Sequence, residues 1–286
     1  MIKPDISIYV PVFNGEKTIK FCLDSIINQT LKPKKILVIN DFSNDKTNEI
    51  LENYKNKIEI INNTKNLGIS LTRDIAVNFL KTKYIASVDA DVEVDRDWLK
   101  NIFSSLESNN ATWVCGKMYE KYTENPCNLW RSLRLRQNWG EKDIINPKLI
   151  FGCNNILKTD SLNLNEIYQN FGDYFKTNGD DNELTRYLKE KKHTLFYDSS
   201  AVCYHLLNDN YHSLASRYSR YVSYGDGLKK RNLIKTLKNI IRSTKKTFFW
   251  IFLDVINFRF SLLKVNIILL FYLILIDFKN YKINNE

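Results

Sequence analysis

Four short runs rich in Ile and Val, separated by helix-like stretches, constrain this chain more than any other feature. Residues 5–13 (DISIYVPVF), 36–40 (ILVIN), 58–61 (IEII) and 84–88 (YIASV) read as strands. Residues 16–29, 45–56 and 69–82 read as helices, the first with Ile19, Cys22, Leu23, Ile26 and Ile27 at helical spacing. This alternation predicts an α/β fold, a mostly parallel sheet flanked by helices and joined by right-handed crossovers. Beyond residue 96 the pattern changes. A helix near 97–108 leads to a Trp- and Arg-rich stretch (126–147), an apolar LIFGCNNIL, an acidic NGDDNELTRYLKEKK and a strand LFYDSSAVCYH.

Polar residues gather where these strands end. Asp89, Asp91, Glu93 and Asp95 fall within seven positions, directly after the fourth run. On an extended chain they share one face and repel one another. In open α/β sheets, however, ligands bind just past the carboxyl ends of strands. Glu93 and Asp95 read as solvated loop residues. Asp41 stands at the tip of the second strand, with Ser43 or Asn44 placed to cap the next helix. Arg73 follows a glycine turn and has the geometry to hold a phosphate with two parallel hydrogen bonds. Asp180 and Asp181 open a helix, where acids also favour the macrodipole. Trp130 and Trp139, with Arg131, Arg134 and Arg136 between or near them, fit a sugar platform or pyrophosphate contact and a helix packed on the sheet equally well.

The net charge of +10 is unevenly spread. Residues 229–286 hold 12 Lys and Arg against 3 Asp and Glu, whereas the first 228 hold 30 against 29. A nucleic-acid groove would spread basic residues over the folded domain, so nucleic acid is not expected as a partner. A basic stretch beside apolar residues points instead to an anionic membrane surface. Leu233, Ile234, Leu237, Ile240 and Ile241 share one helical face, as in an interfacial amphipathic helix. The uncharged run that follows, Val265–Ile276, would span about 18 Å as a helix, short of the ~30 Å hydrocarbon core. In-plane or re-entrant attachment is expected, with a packing or dimer helix as the alternative. Five cysteines without close pairing suit a reducing compartment, and the N-terminus has no signal-peptide pattern.

Together these segments resemble the family 2 glycosyltransferases, inverting enzymes of GT-A (Rossmann-like) fold that use nucleotide sugars, over about residues 5–230. The resemblance implies a donor site of Pro11, Phe13, Asn14, Glu16, Asp41, Arg73 and Asp89. In it Phe13 stacks on the base, Asp41 bonds the base, usually uracil, and Arg73 lies near the diphosphate. Asp89 and Asp91 match the DxD motif, with Asp91 and His205 as ligands of Mn2+ or Mg2+. Asp181 matches the catalytic base. Asp180, Asn154 (from FGCNNILK) and Trp139 fall on the acceptor side. Asn40, Thr72 and Asp74 depart from the commoner family residues. The implied division is a catalytic domain over 1–228 and a membrane-associating helical tail over 229–286. The expected activity is transfer from a nucleotide sugar, a UDP-sugar by preference, to a glycan or lipid-linked acceptor of cell-envelope polysaccharide, at the cytoplasmic face of the membrane. The alternative is an inactive membrane-bound binding protein that keeps the fold. A dinucleotide oxidoreductase is disfavoured, because no G-x-G-x-x-G follows the first strand.

Overall fold

The computed structural model describes residues 4–160, 179–223 and 233–283. By compactness the chain forms two units, Met1–Lys121 with Arg136–Leu206, and Tyr122–Leu135 with Leu207–Glu286. The division at 228/229 read from charge falls in residues 224–232, outside the described residues.

The first unit begins as the periodicity predicts. Strands β1 (Ile6–Val12), β2 (Lys35–Asn40), β3 (Glu59–Asn62) and β4 (Tyr84–Val88) alternate with helices α1 (Ile19–Ile27), α2 (Thr47–Glu52) and α3 (Ile69–Phe79). These four strands pair in parallel in the order β3-β2-β1-β4. β1 and β4 are buried along their whole length, as strands covered on both faces must be. Helix α1 turns Ile19, Cys22, Leu23 and Ile26 onto the sheet.

Past β4 the sheet becomes mixed. Strands β5 (Val92–Val94), β6 (Trp113–Glu120), β7 (Ile144–Ile145), β8 (Asn154–Lys158) and β9 (Leu195–His205) join it, with helix α4 (Trp98–Ser108) between β5 and β6. β8 runs antiparallel to both β4 and β6, while β6 and β9 are parallel. The β6–β9 register slips between Cys115 and Lys117. Gly116 makes that crossing possible: a Cβ there would lie 2.2 Å from the Ala201 carbonyl oxygen and 2.3 Å from Asn154 Oδ1. Helix α6 (Asp180–Glu190) completes the unit. All five cysteines are buried and unpaired.

The second unit is helical: α5 (Pro126–Arg134), α7 (Tyr211–Ser223), α8 (Leu233–Ile256) and α9 (Ser261–Ile283). α5 starts at Asn125, whose side chain accepts from the Cys127 N–H at 2.8 Å, with Pro126 in the first turn. Trp130, Leu214, Tyr218, Leu262, Val265, Leu269 and Leu273 form its core. Trp130 Nε1 donates to Asn266 Oδ1 at 2.8 Å, Asn266 donates to Asp254 at 2.8 Å, and Arg134 pairs with Asp254 at 2.6 Å. Trp130 and Arg134 therefore pack against the C-terminal helices, and Arg131 pairs with Asp209 and donates to the Leu207 carbonyl at 3.0 Å; the sugar-platform option does not hold for them. Within α9, Ser261–Phe278 is long and apolar enough to cross a membrane by length and composition, with 33% of it buried in the structure. The uncharged run alone understated this helix.

Candidate active site

The site is built at the carboxyl ends of β1, β2 and β4, closed by the N-terminus of α6. The first two strand tips are bolted together. Asn14 N–H donates to Ser43 Oγ at 2.9 Å, Asn44 N–H to Asn14 Oδ1 at 2.9 Å, and Glu16 N–H to Asp45 at 3.0 Å. Lys46 N–H returns a bond to Glu16 at 3.2 Å. Two aromatic rings stand out from this double loop, Phe13 (51% exposed) and Phe42 (55%). Phe42 holds φ +65°, a left-handed conformation that costs a bulky residue strain. Pro11 is buried within β1, opposite Ile39.

Asp41 is buried between the loops. Its carboxylate accepts from Leu67 N–H, Gly68 N–H and Asn63 Nδ2, each at 2.8 Å. The residue expected to bond the base thus also fixes the turn that leads into α3. With about four acceptor positions, a carboxylate retains capacity for one more donor.

Arg73 joins distant parts of the chain. From α3 its Nη1 reaches Asp180 Oδ2 at 2.6 Å; its Nη2 reaches Asp89 Oδ1 at 2.9 Å and the Gly152 carbonyl at 3.2 Å. The DxD motif and the acidic helix start, about ninety residues apart in sequence, become neighbours through one buried guanidinium. Asp181, next along α6, accepts from Gly152 N–H at 3.3 Å and from Asn182 N–H at 2.9 Å. Burial pushes its carboxyl up to about 6, the adjacent Asp180 adds to the rise, and Arg73 opposes it. Asp89 is raised by burial too, with Arg73 pulling down and Asp91 pushing up.

Asp91 lies in the turn between β4 and β5. Its carbonyl accepts from Leu206 N–H at 2.8 Å, and Oδ2 is 3.4 Å from His205 Nε2. On the other side of the ring, Nδ1 is 3.0 and 3.1 Å from the two Glu120 oxygens. Burial alone would lower the imidazole; the carboxylates of Asp91 and Glu120 outweigh it and hold His205 at about 9. Glu120 escaped the sequence reading because β6 carried no motif. A strand-end acid aligned with a strand-end His was the only available signal.

On the remaining side, Trp139 is half-buried, its ring 5.6 Å from that of Phe151, with Nε1 donating to the Leu149 carbonyl at 2.9 Å. Asn154 is fully buried, and its Oδ1 accepts from Trp98 Nε1 at 3.5 Å. Its amide is committed to the core. Among the described residues no three His, Cys, Asp or Glu side chains converge as a ready-made metal cluster. Glu93, read as solvated, pairs with Lys121.

The strand order, the acidic strand tip and the mixed half-sheet define the class: this is a GT-A fold. Solved structures share it, among them the following two. TarS (residues 1–349) of S. aureus, in complex with UDP-GlcNAc, matches with TM-score 0.56 and 18% identity, over 83% of this chain and 70% of that one. The mannosyltransferase PcManGT of Pyrobaculum calidifontis, in complex with GDP-Man and Mn2+, matches with TM-score 0.57 and 18% identity, over 78% and 63%. The model of glycosyl transferase family 2 matches residues 7–155, and the chain belongs to that family. A curated relative, the poly(ribitol-phosphate) beta-glucosyltransferase of Bacillus spizizenii, is 32% identical over 197 residues, covering 65% of this chain and 30% of that protein. The chain spans about a third of the length of the curated relatives it matches.

Proposed function

We propose that this protein is an inverting glycosyltransferase that moves a sugar from a nucleotide-sugar donor, UDP-linked by preference, to a glycan or lipid-linked acceptor of the cell envelope. The Arg73 bridge carries this reading. It sets carboxylates suited to a metal-bound diphosphate beside a carboxyl suited to taking a proton. Phe13 offers the base an exposed ring, while Asn14, Glu16 and Asp41 hold the loops that present it.

The residues fit a divalent cation. Asp91 and His205 Nε2 face each other at 3.4 Å and would hold it as a mixed oxygen and nitrogen pair, a donor set that suits Mn2+. Such a cation, when bound, supplies positive charge to the departing diphosphate. The chain's own residues supply the rest. Asp181 Oδ accepts the acceptor hydroxyl proton as that oxygen attacks the anomeric carbon from the face opposite the nucleotide. The anomeric C–O bond breaks, and its electron pair leaves with the nucleoside diphosphate. A carboxyl near 6 is ionised at neutral pH yet more basic than an ordinary aspartate. Asp180, held by Arg73, positions this helix start. Trp139, its ring tilted against that of Phe151 next to Gly152, lies on the acceptor side.

Attachment to the cytoplasmic face of an anionic membrane belongs to the same reading. Helix α8 turns Thr236, Thr247 and Asp254 inward and leaves Leu233, Ile234, Leu237, Ile241, Phe248 and Phe252 exposed. That inverts the arrangement of a helix on a water-soluble core. Lys235, Lys238, Arg242 and Lys245 along it supply charge for acidic headgroups.

The test is thermal-shift screening of nucleotide sugars with and without Mn2+, since a ligand raises apparent stability by mass action. One nucleotide sugar should stabilise the protein more with Mn2+, and Asp91→Ala should abolish that increment. Unchanged Mn2+-dependent UDP affinity in Asp91→Ala, measured by titration calorimetry, defeats the proposal.

A further inference from the structure

We infer that Glu120 is a positioning residue for the cation site: it fixes the His205 ring so that Nε2 serves as a metal donor beside Asp91. This rests on the metal-dependent reading above. The register of β6 against β9 places Glu120 directly across from His205, and both side chains are buried. A buried carboxylate is costly unless a donor faces it. Here both Glu120 oxygens lie within 3.1 Å of His205 Nδ1. A nitrogen lone pair aimed at a carboxylate is repelled, so Nδ1 carries its hydrogen and donates. The atom facing Asp91 is Nε2, which is the nitrogen that would give up its proton to a cation.

The neighbouring strand locks the remaining freedom. Val92 pairs with His205, and the next residue, Leu206, donates its N–H to the Asp91 carbonyl at 2.8 Å. His205 is thus held at its ring by Glu120 of β6 and at its backbone by the pairing with β5. A histidine whose far nitrogen donates to a carboxylate is oriented and made a stronger ligand, and removing such a partner typically weakens metal binding by about 10–100-fold.

The experiment measures the Mn2+ dissociation constant of the full chain by electron paramagnetic resonance of free Mn2+, with saturating UDP, for wild type, Glu120→Ala and Glu120→Gln. Glu120→Ala should weaken Mn2+ by about 10–100-fold. Glu120→Gln keeps a neutral acceptor for Nδ1–H and should lose less. UDP affinity without metal should be unchanged in both. A purely structural Glu120 would lower the melting temperature while leaving Mn2+ affinity intact, and that result overturns the inference. Should Glu120→Ala fail to fold, Glu120→Gln decides alone, with unchanged Mn2+ affinity again overturning it. Absence of saturable Mn2+ binding by the wild type would remove the metal reading itself, and this inference with it.

Discussion

Replacing Arg73 by Met tests whether one guanidinium holds the two halves of the site. Methionine keeps an apolar stem and removes every donor. The arginine side chain is 7% exposed and bonds Asp180, Asp89 and the Gly152 carbonyl. Removing one partner of a buried pair costs about 3–5 kcal/mol, because the other charge stays buried. Asp180 is as buried as the arginine, so that range applies to it. Asp89 is more exposed and can turn towards water, so the two losses do not simply double. Against a stability of about 5–15 kcal/mol, the variant stays folded in the cold but melts early.

The same change has an electrostatic signature. Arg73 opposes the rise of both Asp89 and Asp181. A nearby opposite charge shifts a carboxyl by about 1–3 units, so the acid limb of the pH–rate profile should move upward from about 6. Both folded-state values already lie above those of the unfolded chain. Their contribution to stability is greatest below the unfolded value and is lost as pH rises through the folded one. Removing Arg73 raises both further, so Arg73→Met should cost less near pH 4 than near pH 8. Urea unfolding at both pH values, with turnover measured from pH 5 to 9, reads this out. An equal loss at both pH values, or an unmoved acid limb in a folded variant, refutes the reasoning.

Asp181→Asn should leave UDP binding intact and lower turnover by on the order of 100-fold or more; wild-type turnover by the variant removes Asp181 from the base role. Phe42→Gly should raise the melting temperature, since glycine relieves a left-handed strain of about 1–2 kcal/mol; an unchanged or lower value shows that the ring is held by contacts worth more than the strain. In flotation assays the full chain should bind vesicles containing anionic lipid and remain bound in high salt, because apolar insertion is not screened; a wholly soluble protein leaves α8 and α9 as packing elements. A chain ending at Gly227 lacks both helices, strips the cover from Trp130 and should aggregate, as light scattering would show.

The first half of the fold was legible because its signals are local. β1 to β4 are short apolar runs, α1 shows its buried face in spacing alone, and the strand-tip acids follow directly. What could not be read depends on pairing across long separations. Arg73 looked like a phosphate ligand, yet Asp180 lies 107 positions away and only folding reveals the pair. Glu120 meets His205 across 85 positions. β6 mixes Trp, Cys, Gly, Lys and Glu without a clean period, since the register slip at Gly116 interrupts its alternation. Asn154 sat in a recognisable motif, but motif position does not report burial.

The bond from Trp130 to Asn266 spans 136 residues. At about 5–20 residues per second of synthesis, α5 leaves the ribosome roughly 7–27 s before α9 has been made. During that wait its indole lacks the asparagine, and Arg134 lacks Asp254, 120 residues downstream. While the chain is being translated through α7 and α8, the early helix can acquire only part of its native surroundings, Tyr218 and Trp250 arriving before Asn266. Until the later helices arrive, α5 presents an apolar indole without its native cover, the kind of surface that holdase chaperones bind.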